Sequence, residues 1–261
     1  LDQHADKIRE LAGQCKRVTA FVKRREWNVL LAAGRPQSLI VHQLEPDPLL
    51  DRVHAAVQID QADTPREFTT HAGGPGADSL TAAPTGETDL LVIDTVHHAV
   101  RLDAELARHA QHVQRYIVLR GTAIAGEMSE DGQGPGLLPS IRRWVAERPR
   151  WSVVYHTLNQ YGLTVLSCQK KDKPRLPSVL TMAANFTQSI AAHVADGLEK
   201  VALPELEARL QTCSLCPQRV DDRCSACGCF IAPKAAMRSG ICPLGLWPDV
   251  KPEAQAKEPA A

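Results

Sequence analysis

Residues 89–122 read DLLVIDTVHHAVRLDAELARHAQHVQRYIVLRGT, and the change of period along this stretch decides the fold. Leu90, Leu91, Val92 and Ile93 are apolar without alternation and stop abruptly at Asp94, the character of a strand buried on both faces of a parallel sheet. A helix is expected next, with Leu102, Leu106 and Val113 on one side, and Tyr116–Leu119 reads as the following strand. Upstream, Ala5, Ile8, Leu11, Ala12 and Cys15 repeat at helical spacing. Two short apolar runs, Val18–Val22 and Ser38–Val41, flank a helical stretch at Trp27–Ala33 that Gly34 closes. Downstream, Pro139 opens a helix with Ile141, Trp144 and Val145 on one side, and Trp151–Tyr155 and Leu163–Leu166 form a hairpin across Asn159–Gly162. Strands alternating with helices imply an α/β fold, a doubly wound and mostly parallel sheet over residues 1–168.

Two glycine-rich stretches interrupt this pattern. Residues 73–76 (GGPG) follow no clear strand and read as a flexible loop. Residues 121–136 (GTAIAGEMSEDGQGPG) are long and polar, a mobile loop over the sheet edge.

Beyond the sheet domain the chemistry changes. Residues 169–180 hold the charged, proline-bearing KKDKPRLP and read as a linker, and residues 181–211 as a helical connector. In the connector Met182, Phe186, Ile190 and Val194 are spaced by four, and Pro204 opens a second helix. Six of the chain's eight cysteines fall in residues 212–248, and the tail 249–261 has too little apolar content to fold.

The cysteines run Cys213-x2-Cys216, Cys224-x2-Cys227-x-Cys229 and then Cys242. Each CxxC turn can face two thiolates toward one ion, and tetrahedral zinc needs four ligands. One zinc is satisfied by Cys213 and Cys216 with Cys224 and Cys227, or with Cys242 and either Cys227 or Cys229. Two zinc ions sharing sulfurs, an iron–sulfur cluster and disulfides are the alternatives. Phe230, Ile231, Leu244 and Trp247 supply only a minimal core, which favours a structural, metal-stabilised module, and residues 212–248 contain no histidine to suggest a catalytic site.

Lys plus Arg (30) balance Asp plus Glu (30), so no global field draws the chain to nucleic acid or an anionic membrane. With aromatics at 4%, base stacking is poorly served, which argues against a nucleic-acid partner and for a protein one. No apolar run is long enough to cross a bilayer, and the charged residues 1–15 are unlike a signal peptide, so a cytoplasmic protein is expected.

The stretch from Asp89 to Leu166 resembles the cephalosporin hydroxylase and rhamnosyl O-methyltransferase group, whose fold is that of class I S-adenosylmethionine-dependent methyltransferases. That resemblance implies that Asp94 ends a central strand where ligands bind, with His97 and His98 beside it as candidate general bases. It also implies positions for the cofactor. Ala20 and Val22 stand where an acidic residue and glycine belong, followed by Lys23, Arg24 and Arg25; His42 stands where an acid would hold the ribose hydroxyls; and Arg120, Gly121 and Thr122 replace a His-Asp-Thr whose Asp would bind magnesium. The string RCSACGCF…CPLGLW (residues 223–247) resembles a cysteine-rich, zinc-knuckle type of module of phage and bacterial proteins. The expectation is a non-catalytic, methyltransferase-like scaffold with a structural zinc module, acting in binding or assembly. The alternative is a methyltransferase or related hydroxylase working through Asp94 and His97 with a remodelled site.

Overall fold

The computed structural model describes residues 3–23, 26–44, 67–73, 76–169 and 174–248. The chain divides into two compact units: Leu1–His156 with Gln160–Asp172, and Thr157–Asn159 with Lys173–Ala261.

In the first unit, helix α1 (Gln3–Gly13) precedes β1 (Arg17–Val22), α2 (Glu26–Ala32), β2 (Ser38–Gln43), β3 (Glu67–Ala72) and β4 (Thr88–Asp94). Helix α3 (Ala99–His109), β5 (Val113–Arg120), α4 (Leu137–Ala146), β6 (Ser152–Thr157) and β7 (Leu163–Ser167) follow. The seven strands form one sheet in the order β3-β2-β1-β4-β5-β7-β6. Strands β3, β2, β1, β4 and β5 are mutually parallel, and β7 runs antiparallel to β5. This mostly parallel, mixed sheet with its helices is consistent with a methyltransferase-like α/β fold. The core gathers where the apolar runs cross the centre of the sheet: Val18, Ala20 and Val22 of β1, Leu90 and Val92 of β4, and Val118 of β5 pack with Ile8 and Leu11 of α1 and Trp27 and Leu31 of α2.

The order reverses between β1 and β4, so the crevice beyond their carboxyl ends is the topological switch point. There the Lys23 amide donates to the Asp94 carbonyl at 2.8 Å, tying the two strand ends together.

Several expectations need correction. Helix α3 ends at His109, and a 3-10 turn at residues 110–112 hands the chain to β5, so Val113 is the first residue of a strand and not part of a helical face. The GGPG stretch does follow a strand: β3 ends at Ala72, one residue before Gly73, while residues 74 and 75 lie outside the described residues. Residues 121–136 form a knit turn system in place of a free loop. The Ala125 amide donates to the Gly121 carbonyl, the Ser129 amide to the Gly134 carbonyl, and Thr122 and Ala125 are fully buried.

The second unit contains α5 (Val179–Ala195), α6 (Leu203–Ser214), the two-residue strands β8 (Arg219–Val220) and β9 (Arg223–Cys224), and α7 (Ile231–Ala236). Ser178 caps α5 by accepting the Thr181 amide at 3.2 Å, and Pro204 sits in the first turn of α6, where its missing N–H costs nothing. Arg209 organises this unit. Its guanidinium donates to the carbonyls of Ala235 (3.1 Å) and Met237 (2.9 Å), pairs with Glu205 at 2.7 Å and lies over the Trp247 ring. Of the expected linker and tail, residues 170–173 and 249–261 lie outside the described residues.

Candidate functional site

The switch point is built around Asp94. As the last residue of β4 it is buried, and three side chains from different elements converge on its carboxylate. The Trp27 indole N–H donates to Oδ2 at 2.5 Å, the Arg120 guanidinium lies 3.8 Å from the same oxygen, and His97 Nε2 lies 3.3 Å from Oδ1. Trp27 belongs to the first turn of α2 and is fully buried; Arg120 ends β5 and also stacks over the rings of Trp27 and Tyr161. The other ring nitrogen of His97 faces Glu130 Oε2 at 3.1 Å. A neutral imidazole carries one N–H and can donate to one carboxylate, whereas the protonated ring serves both. Gly121 makes this closure possible: its φ is +82°, and a Cβ there would lie 2.2 Å from the His97 ring.

Asp94 and His97 are therefore brought together. His98 is not part of the cluster; it is the residue before α3 and comes within 3.8 Å of Asp131. Behind the cluster, Glu105 is buried beneath hydrogen bonds from Ser79, Thr95 (2.7 Å) and Arg101 (3.1 Å), and burial raises its pKa above the ordinary carboxylate value. The cleft lined by Thr95, His97, Glu105 and Arg120 encloses a cavity of only about 10 Å³, about the room that a single water molecule needs.

At the positions that the resemblance assigns to a cofactor, the described side chains pack among themselves. Ala20, Phe21 and Val22 are fully buried. His42 stacks on Phe21 with ring centroids 4.4 Å apart and on His71 at 4.8 Å, and its Nδ1 is 2.7 Å from the Gly76 carbonyl. Phe21 also packs against His109, whose ring nitrogens are held by Thr85 and the Ser79 carbonyl. Burial lowers the pKa of both His42 and His109, holding them neutral. S-adenosylmethionine would need a backbone cradle after the first strand and an acid after the second; those turns fall largely on residues 24–25 and 45–66, outside the described residues, while Phe21 and His42 inside the strands and Trp27 of α2 offer packed rings and a neutral imidazole. Arg24 and Arg25 lie outside the described residues.

In the second unit all six clustered thiols, Cys213, Cys216, Cys224, Cys227, Cys229 and Cys242, line one pocket of about 30 Å³ together with Phe230, Lys234, Leu244 and Trp247. Among the described residues no three His, Cys, Asp or Glu side chains stand in metal-holding geometry, and the cysteines are free thiols. The donor set nonetheless has soft-metal chemistry. The Trp247 indole N–H reaches Cys213 Sγ at 3.4 Å, and the Lys234 ammonium lies 3.6 Å from Cys227 Sγ. Cys227 is pulled toward the thiolate, first by the hydrogen bond from Cys224 and then by its other neighbours, Lys234 among them, while Cys224 and the half-buried Cys213 and Cys216 are pushed up.

Sequence reasoning missed Trp27, Glu130, Tyr161 and Arg209. A tryptophan in the first turn of the helix after the first strand was a usable signal, because a large ring there must either face the switch point or leave the core.

No protein-family model matches the chain, and no curated protein matches it. Solved structures with a similar fold include an O-methyltransferase from Bacillus cereus in complex with SAH (14% identity, 65% of this chain and 82% of that one, TM-score 0.47). Two others are the O-methyltransferase TomG from Streptomyces achromogenes in complex with SAM (15% identity, 63% and 78%, TM-score 0.44) and cofactor-bound Rv0187 from MTB (21% identity, 66% and 82%, TM-score 0.46). Among the described residues, no helix is long and apolar enough to cross a membrane.

Proposed function

We propose that this chain is a non-catalytic, methyltransferase-like scaffold carrying a structural zinc module, and that it acts in binding or assembly with a protein partner in the cytoplasm. The observation that carries this reading is the closure of the switch point. The acid that an enzyme would turn toward a ligand is held by the indole of Trp27 and the guanidinium of Arg120. Arg120 places a fixed, protein-borne cation beside Asp94, where the related enzymes would use a metal ion, and a guanidinium repels a second cation. Zinc in the second unit is supported by six thiols around one pocket and by the N–H donors of Trp247 and Lys234, the kind of outer partners that tune thiolate ligands. Zinc would supply folding free energy that the small apolar core lacks. An iron–sulfur cluster is the other soft-metal outcome, told apart by visible absorbance and iron content.

A second reading, a methyltransferase or hydroxylase with a remodelled site, is favoured by the placement of His97 between Asp94 and Glu130, an arrangement able to relay a proton. Calorimetric titration of the metal-replete protein with S-adenosylmethionine separates the two. The scaffold reading expects no binding heat. Micromolar binding that disappears in Asp94→Ala would establish the enzyme reading instead.

A further inference from the structure

Helix α5 has two faces of different character. One turns toward the cysteine module: Asn185 donates to the Cys227 carbonyl at 2.9 Å, and Met182 lies so close to Gly228 (φ +74°) that a Cβ there would meet its Cγ at 2.2 Å. The half-buried positions Met182, Asn185, Ser189 and His193 recur every three to four residues along this face. Rotated away from it by roughly a quarter of a turn, Val179, Ala183, Phe186, Ile190 and Val194 recur at intervals of four, three, four and four, the spacing of a helix-pairing seam. Val179 (75%), Phe186 (54%), Ile190 (36%) and Val194 (60%) are all exposed, and the helix buries no residue fully.

The helix carries no Asp, Glu, Lys or Arg from Val179 to Ala195. A solvated helix ordinarily puts charge on its outer side, so this one is made to be covered. The missing charge also restricts what covers it. Partner choice between different helices is set largely by charges flanking the seam, and the flanking positions here are Leu180, Thr187 and Ala191 on one side and Met182, Asn185 and Ser189 on the other. A surface with no charge to complement is matched by an equally uncharged apolar stripe, and a second copy of α5 supplies one.

We propose that two copies of this chain associate through the outer stripe of α5, packed antiparallel about a two-fold axis. The antiparallel sense sets the two helix dipoles head to tail. It places Phe186 near the axis, Ala183 opposite Ile190 of the second copy and Val179 opposite its Val194, so large side chains face small or complementary ones. A helix of 17 residues spans about 25 Å, which puts the contact at the small end of specific interfaces, about 1,200 Å² in total, the size class of weak and transient associations. The two-fold symmetry makes the interface self-complementary and closed, so it ends at a dimer.

Sedimentation equilibrium of the full, metal-replete chain across the micromolar range tests this. The expected result is a reversible shift from the 28.5 kDa chain mass to twice that value. In Phe186→Lys, which brings like charges together at the axis, the dimer constant should weaken at least tenfold. Val100→Lys, at an exposed apolar residue of the first unit, should leave it unchanged. A wild-type chain that stays monomeric at several hundred micromolar overturns the proposal, as does a dimer that persists in a Phe186→Lys protein with native circular dichroism. If Phe186→Lys fails to fold, the milder Ile190→Asn is judged by the same criterion.

Discussion

The switch point of the sheet and the pocket of the cysteine module both gather polar side chains, and they are stabilised in opposite ways. At the switch point every described polar group of the cluster already has a protein partner: Asp94 accepts from Trp27, His97 joins Asp94 to Glu130, and Arg120 neutralises the buried carboxylate. Trp27 and Phe21 beside it are fully buried, so this region is held by apolar burial and internal hydrogen bonds, with Tyr161 at its exposed rim. In the module, six thiols crowd one pocket among Phe230, Ile231, Leu244, Leu246 and Trp247, and several are pushed away from the thiolate state by burial and by one another. On the proposed reading, one region has closed over a former ligand site and the other is completed by a metal, so that a retained fold and a retained site become separable properties of one chain.

The largest expected effect lies on the module's side of that contrast. A structural zinc contributes about 10–16 kcal/mol to the folding of a small domain. Stripping metal with a strong chelator should therefore abolish the protease resistance of residues 203–248 and leave the thermal transition of the sheet unit in place. One or two equivalents of zinc by elemental analysis, with the loss reproduced by Cys227→Ser, would sharpen the contrast. Metal-free protein with an unchanged proteolysis pattern would break it.

On the other side, Trp27→Ala removes a fully buried indole and the donor to Asp94. Cavity formation of this kind costs about 3–5 kcal/mol, and leaving the carboxylate short of a partner adds to it. Urea denaturation should register the loss in the sheet unit. A change below about 1 kcal/mol would mean that the switch point is not held by this contact.

A smaller effect concerns pH. His42 and His109 titrate below their ordinary value of 6.5 in the folded chain, chiefly because they are buried. Below pH 6.5 the unfolded chain takes up protons that the folded chain resists, so stability present at neutral pH is lost as pH falls through that value toward the folded ones. Denaturation curves at pH 7 and pH 5 should show the loss, and His42→Gln should reduce it. Equal stability at the two values would contradict the neutral packing of these rings.

Much of the sheet was legible because burial on both faces leaves a plain trace. Val18–Val22, Leu90–Ile93 and Tyr116–Leu119 all fall inside strands that are buried nearly throughout. Strand β3, EFTTHA, left no such trace, since an edge strand exposes most of its side chains. Helix α3 ended before Val113 because a short 3-10 turn redirects the chain, an event that apolar spacing does not record. At the candidate site, Asp94 could be read from the abrupt end of an apolar run and His97 from its closeness to it, but the side chains that surround them could not. Trp27 lies 67 residues from Asp94 in sequence, and Glu130 sits in a glycine-rich stretch with no periodicity. In the second unit the cysteine spacing was plain, whereas Arg209, which joins α6 to the end of α7 and to Trp247, reads from sequence as one more exposed basic residue.

The most direct test follows the indole N–H of Trp27 by nitrogen-15 NMR while S-adenosylmethionine is added to millimolar concentration. A bond to Asp94 in a closed switch point predicts a resonance that is shifted from solvent-exposed indoles, slow to exchange with water and unmoved by the cofactor. A resonance that shifts saturably with S-adenosylmethionine, and no longer does so in Asp94→Ala, would contradict the account and return the chain to the methyltransferases.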